Sequence, residues 1–213
     1  MTSAGEGAPL HLTLVRHGVT AWNTEGRWQG HSDTPLSAEG EAQARLLARR
    51  LRASDFDEVH CSDLQRAVRT ANLALPGAPI ILDPRLREGH FGAFDARTQA
   101  ENEAHAGWAA WLADPWRERM PDGESFEEVG ARALAWANEL PSGQRVIAFA
   151  HSVFIRALIC TALGIPVPAR GGAAFPFPLR IAHASLTRLH RTPHGWDLVT
   201  FSDVAHLESW ADG

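Results

Sequence analysis

Lysine is missing from this chain: all 20 of its basic residues are arginine. That absence excludes a lysine Schiff base, pyridoxal phosphate chemistry and a Walker-type phosphate loop, each of which needs an ammonium group. Any phosphate must be met by guanidinium forks. Long apolar runs are also lacking. Nothing approaches the roughly 18 consecutive apolar residues of a membrane span. The opening MTSAGEGAP has neither a basic start nor an apolar stretch, so no membrane partner and no signal peptide are expected and the cytoplasm is the expected location. A net charge of −5 leaves no broad basic face, so nucleic acid is not an expected partner. The only two cysteines, Cys61 and Cys160, lie in apolar segments without C-x-x-C spacing and read as buried thiols. What remains is a chain of 213 residues, 45% hydrophobic, enough for one sizeable core. It reads as a single domain over residues 10–213 behind a flexible stretch, residues 1–9.

Strand and helix patterns alternate along it. Residues 10–15 (LHLTLV) form a strand candidate that stops at Arg16-His17-Gly18. Residues 37–52 place Ala42, Leu46, Leu47 and Leu51 at helical spacing against an arginine face. A strand is expected over 57–61, then a helix to about residue 75 opened by the capping-box pattern Ser62-x-x-Gln65. After a short strand at 80–82, residues 86–95 carry two glycines and read as a loop, and residues 99–116 read as a tryptophan-rich helix. Ser125-x-x-Glu128 opens another helix to about residue 139, followed by a strand at 145–150 and a helix at 152–163. Residues 171–178 fit neither template. Residues 184–190 and 196–201 look like a closing antiparallel pair across a Pro-His-Gly turn. This order predicts an α/β fold, a three-layer α/β/α sandwich with a mostly parallel central sheet.

Ligands in such sheets bind beyond the carboxyl ends of the strands. Arg16-His17, the helix start bearing Arg66, and His151-Ser152 all fall at such ends and should meet at one edge. Arginine forks suit phosphate oxygens, Gly18 permits close backbone approach, and His151 stands at a helix start whose free N–H groups favour anions. Two histidines and two arginines together suit a dianion. The remaining histidines have no zinc-like spacing; His190 and His194, beside the turn, read as structural.

The same residues carry a family resemblance. LVRHGVTAWN, GRWQGHSDTPLSAEG, SDLQRAVRT, LREGHFGAFD and AFAHSVFIRAL, in that order, resemble the signature blocks of the histidine phosphatase superfamily, and DVAHL near the end is similar to a tail of its phosphatase members. The resemblance implies a phosphoglycerate mutase-like fold with His17 as the phosphorylated histidine. It implies Arg16, Arg66 and His151 around the phosphoryl group and Glu88 as proton donor and acceptor. Thr20, Asn23, Gln29 and the Ser152 backbone would lie near the phosphate, with no metal and no cofactor. Read as a lone loop residue, Glu88 could instead pair with Arg85 or Arg87. Thr20, Asn23 and Gln29 could equally be turn formers.

The expected activity is hydrolysis of a small phosphorylated metabolite. Phosphoglycerate mutase is the alternative enzyme, and a non-catalytic phosphate-binding protein is the alternative of another class. Ser152-Val153 stands where many relatives carry a glycine pair or asparagine after the second histidine; Val153 and the modest chain length both fit a mutase less well. The pocket rim is expected from Phe91, Phe94, Trp108, Trp111, Trp116 and the region after Glu124, although each tryptophan could equally be core. A homodimer is compatible with the sequence but not indicated by it.

Overall fold

Leu10, Leu12 and Leu14 turn to one side of the first strand and Thr13 and Val15 to the other, and both sides are buried. Such a strand belongs in the middle of a covered sheet. In the computed structural model, which describes residues 7–167 and 174–208, that strand, β1 (Leu10–Arg16), is central. It is joined by β2 (Glu58–Cys61), β3 (Ile81–Leu82), β4 (Arg145–Ala150), β5 (Leu186–Thr192) and β6 (Gly195–Asp203) in the order β3-β2-β4-β1-β5-β6. The β3-β2, β2-β4 and β4-β1 pairs are parallel; β5 runs antiparallel to β1, and β6 to β5. The expected closing pair is therefore a hairpin that extends a parallel sheet at one edge.

Eight α-helices lie among the described residues: α1 (Ala21–Thr24), α2 (Ala38–Leu47), α3 (Gln65–Ala74), α4 (Gln99–Glu103), α5 (Trp108–Ala113), α6 (Phe126–Glu139), α7 (Ser152–Leu163) and α8 (Ala205–Glu208). The apolar faces of α6 and α7 cover the leucine side of β1, with Val129, Ala133, Trp136, Phe154 and Leu158 fully buried there. On the other side Leu47 of α2 and Ala67, Ala71 and Ala74 of α3 pack on Val15, Ile147 and Phe149. Helix, sheet and helix make three layers. Cys61 and Cys160 are both buried and unpaired, and burial pushes their thiols up, Cys160 to about 11. No helix among the described residues is long and apolar enough to cross a membrane.

Three sequence expectations needed correction. The helix after Ser37 ends at Leu47, because the chain turns through Arg49 and Arg50 to bury Leu51 in the second core. Ser62 does not cap α3. The cap position is Leu64, and the Gln65 N–H that a capping box would satisfy donates instead to the Asp33 carboxylate at 2.7 Å. The tryptophan-rich helix is two short ones, α4 and α5, divided where His105 Nδ1 accepts from the Gly107 N–H, which lets Trp108 and Trp111 turn into the core beside Phe94. Residues 1–6 of the stretch expected to be flexible, and 171–173 of the segment that fits no template, lie outside the described residues.

Helix α2 presses its first turn onto the loop that follows β1. A Cβ on Gly40 would stand 2.0 Å from the Val19 carbonyl oxygen. Helix propensity alone would favour alanine there by about 1 kcal/mol, but this contact is with backbone, which cannot step aside cheaply. We expect Gly40→Ala to lower stability by about 1–3 kcal/mol in urea unfolding. A stabilised variant would show that α2 does not brace the loop.

Candidate active site

His17 is pinned at the carboxyl end of β1. Its N–H donates to the Ala150 carbonyl at 3.1 Å and its own carbonyl accepts from the Ala184 N–H at 3.2 Å. The ring is fixed as firmly, because Nδ1 lies 2.7 Å from the Gly18 carbonyl oxygen. A carbonyl only accepts, so Nδ1 carries the proton and Nε2 is left with its lone pair. Burial, helped by the charges of Arg66 and Arg16, holds this imidazole far below the ordinary histidine range, so it is neutral at physiological pH.

The other strand ends arrive beside it. The Arg16 guanidinium donates through Nη1 to the Ile181 carbonyl at 2.6 Å and through Nη2 to His183 Nε2 at 2.7 Å. Burial lowers Arg16 to about 10, partly offset by Glu88, so it stays charged at neutral pH. Arg66, on the first turn of α3, is fully buried and donates to the Ser32 and Gly30 carbonyls and, more loosely, to His151 Nδ1 at 3.3 Å. His151 therefore carries its proton on Nε2, which donates to Ser62 Oγ at 2.9 Å. Burial first, then Arg66, also keeps His151 well below the ordinary range. The rings of His17 and His151 lie 5.1 Å apart.

Glu88 turns inward. Arg85 is engaged by Asp83 and Glu139, and Arg87 by Asp63, so the surface pairings that would have made Glu88 ordinary are taken. Its carboxylate sits on the start of α7, accepting from the Val153 N–H at 3.1 Å, the Phe154 N–H at 3.0 Å and the Gly89 N–H at 3.1 Å. The first two are groups that a helix start leaves unpaired. Oε2 receives only one of the three and retains capacity for a proton.

A cavity of about 270 Å³ opens over this edge. Arg16, His17, Asn23, Gln29, Glu88 and Ser152 all line it, as does Val153. Arg66 and His151 do not line it; both are fully buried beside it. Two buried donors, Arg16 Nε and Gln29 Nε2, have no partner among the described residues, and both belong to side chains of the cavity wall. Gln29 is oriented by Thr34 Oγ1, which donates to its Oε1 at 2.7 Å. Thr20 and Asn23 do serve as turn formers, as the capping box of α1, while Asn23 also faces the cavity. Unpaired buried donors are rare and call for an anionic or oxygen-rich occupant.

The rim differs from the sequence expectation. Of the five aromatics expected there only Phe91 lines the cavity; Phe94, Trp108 and Trp111 are core, and Trp116 packs against Phe177. The aromatic wall is Trp28, Phe91 and Phe175, with Arg27 and Arg156 beside it. Ser62 was read only as a helix cap, and Arg156 and His183 were not singled out in sequence. For His183 the sequence offered no local signal, since it reaches Arg16 across 167 positions.

Two histidines, two arginines and a carboxylate gathered at the carboxyl ends of a parallel sheet make a site suited to an anion. The chain belongs to the histidine phosphatase superfamily (branch 1), whose family model matches residues 12–204. It is an enzyme family of phosphatases and mutases, and relatives of both kinds are similar to this chain. A protein of Enterobacter sp. (strain 638) named "Probable phosphoglycerate mutase GpmB" is 37% identical over 212 residues, covering 94% of this chain and 96% of the relative. Among solved structures, Bacillus stearothermophilus YhfR superposes with a TM-score of 0.81 at 28% identity, covering 93% of this chain and 99% of its own. The alpha-ribazole phosphatase of Shigella flexneri gives 0.78 at 28% identity, covering 92% and 97%.

Proposed function

We propose that the protein hydrolyses small phosphomonoesters through a phosphohistidine on His17. The observation that carries this reading is the fixed tautomer of His17: a neutral imidazole whose Nε2 lone pair is kept free in a cavity with unpaired cationic and amide donors. Nε2 attacks phosphorus in line, the ester P–O bond breaks, and protonated Glu88 gives its proton to the departing alkoxide. Water then attacks the phosphohistidine, Glu88 takes its proton, the P–N bond breaks and phosphate leaves. Arg16 Nε, Gln29 Nε2 and the Ser152 end of α7 would hold the equatorial oxygens, while buried Arg66 supplies positive charge from beside the cavity. This path needs no metal.

Hydrolysis is favoured over mutase chemistry by what surrounds the cavity. Among the described residues, nothing between Phe91 and Ser152 lines it, so the segment after the acid loop, where the tryptophans lie, does not close over the site. A mutase must keep water from its phosphohistidine. The names of the sequence relatives point the other way, so both outcomes belong in one experiment. Phosphate release from alkyl and aryl phosphomonoesters would be measured beside phosphoglycerate interconversion. Release well above interconversion is expected; interconversion with little release would make the protein a mutase, and binding without either would leave a phosphate-binding protein.

Arg132 holds the acid in place from outside the cavity. It donates to the carbonyls of Arg85, Arg87 and Glu88 at 2.7, 2.9 and 2.8 Å and pairs with Glu124, whose Oε2 accepts from the His90 N–H. Releasing that clamp would let Glu88 drift, and a misplacement of about 1 Å can cost up to about 100-fold. We expect Arg132→Met to lower kcat by about 10- to 100-fold with a smaller change in KM. A variant with unaltered kcat would show that the α7 start alone positions Glu88.

A further inference from the structure

The cavity holds more positive charge than a single phosphoryl group uses, and the excess has one address. Arg27 is spoken for by Glu25, Glu101 and the Ala96 carbonyl. Arg16 and Arg66 are anchored to carbonyls and histidines. Arg156, one turn into α7, is different. Its Nε donates to the Ser152 carbonyl at 3.1 Å, and among the described residues neither Nη group has a hydrogen-bond partner. Its guanidinium carbon lies 4.5 Å from the Phe177 ring centroid and 5.6 Å from that of Phe175. Aromatic faces hold the guanidinium plane without consuming its in-plane donors. The Nη end is thus a fork held by aromatic faces, with no hydrogen-bond partner among the described residues, in the wall of the cavity that contains His17 and Glu88.

We propose that Arg156 is a specificity residue that takes a carboxylate on the leaving group of the substrate. This rests on the reading of His17 and Glu88 given above, since Glu88, the proton donor, marks the leaving-group side. Arg156 stands on the same helix, α7, whose Val153 and Phe154 N–H groups hold the Glu88 carboxylate, and both side chains line the cavity, which puts it on that side. Two parallel N–H donors match the two oxygens of a carboxylate. A second phosphate would set a dianion beside Glu88 as it gives up its proton and becomes a carboxylate, whereas a carboxylate on the leaving group brings half that charge. The cavity, at about 270 Å³, lies below the roughly 300–1,000 Å³ that accommodates drug-sized ligands. The favoured substrate is therefore a short phosphorylated hydroxy acid, with the acid group a few atoms from the ester oxygen.

Three esters of nearly equal size test this: 2-phosphoglycolate, 2-hydroxyethyl phosphate and ethane-1,2-diol bisphosphate. Losing a bidentate charged contact typically costs about 10- to 100-fold. We expect kcat/KM for phosphoglycolate to exceed that for hydroxyethyl phosphate by a factor in that range. Arg156→Met should bring the ratio close to one, with Arg156→Lys, which keeps charge and loses the fork, in between. A wild-type ratio of one or less, a preference for the bisphosphate, or a ratio unchanged in Arg156→Met overturns the proposal, even if both rates fall together. Thermal-shift titrations with the same three compounds run in parallel and do not need turnover. If no ester is hydrolysed, the hydrolase reading fails. Tighter binding of phosphoglycolate, lost in Arg156→Met, would still sustain the role of Arg156, and equal binding of the acid and alcohol esters would end it. Should Arg156→Met not fold, Arg156→Lys and Arg156→Gln carry the same comparison.

Discussion

His17→Ala is expected to release phosphate at least about 10⁴-fold more slowly than the wild type, the scale on which nucleophile deletions act. Acid-labile, alkali-stable phosphate, which rapid quenching should trap on the wild-type protein, should vanish with it. The size of the effect follows from how completely the site commits to this one atom. The Gly18 carbonyl fixes the proton on Nδ1, strand hydrogen bonds fix the backbone on both sides, and burial keeps the ring neutral. No second group is poised to replace it. His151 has Nδ1 facing Arg66 and Nε2 facing Ser62, and it does not line the cavity. Residual activity would come from the electrostatic donors alone, and added imidazole should restore part of the rate by filling the space left by the ring. A His17→Ala rate within about tenfold of the wild type would sink the phosphohistidine route. Glu88→Gln gives a useful contrast. Its loss should be larger for alkyl esters, whose alkoxides need the proton, than for a nitrophenyl ester, whose leaving group does not.

The parts of this site that were legible in sequence are those where chemistry and backbone coincide within a few residues. Arg16-His17-Gly18 reads as a strand end with room for close approach, to which the family resemblance adds the nucleophile, and the structure sets His17 directly after β1. His151 followed by a regular apolar helix gave both the strand end and the helix start. What could not be read depends on partners far along the chain. Ser62 looked like a helix cap because a hydroxyl three residues before Gln65 usually is one. Here its hydroxyl accepts from His151, 89 positions away, and Asp33 takes over the capping. Arg156 looked like one more arginine on an amphipathic helix. Its place in the cavity is set by Phe175 and Phe177, from a segment that fits neither helix nor strand periodicity. The tryptophans left two readings open, rim or core. Composition alone cannot say whether an aromatic cluster rims a pocket or fills a core, and Trp108 and Trp111 fill the core because Trp28, Phe94 and Phe126 offer rings to pack against.

The burial that readies His17 for attack should also make the protein sensitive to mild acid. His17 and His151 are fully enclosed and held well below the ordinary histidine value of about 6.5, to which they return on unfolding. Above that value both states are neutral and neither histidine contributes to the balance. As pH falls below it, the unfolded chain takes up protons that the folded chain refuses, so stability declines until the folded values are reached. Each such histidine costs about 1.4 kcal/mol per pH unit, and the two together about 2.7 kcal/mol per unit. His183, pushed down to about 3 by burial and by Arg16, adds in the same direction, less strongly because it is partly exposed. This loss opens below about pH 6.5 and continues through mildly acidic pH. The carboxylates held low by arginine, among them Asp63 and Asp203, fall outside this window, since they act only as pH approaches their unfolded values near 4. Urea unfolding in phosphate-free buffer from pH 7.5 to 5.0 measures the slope directly. Phosphate must be left out because an anion that binds only the folded state would mask the loss. His17→Asn should remove about half the slope while leaving stability near pH 7.5 little changed by protonation. A flat wild-type profile would mean that His17 and His151 accept protons in the folded state, and a nucleophile protonated near pH 6 could not serve the route proposed for it. Acid lability and nucleophile readiness are thus two readings of one desolvated imidazole.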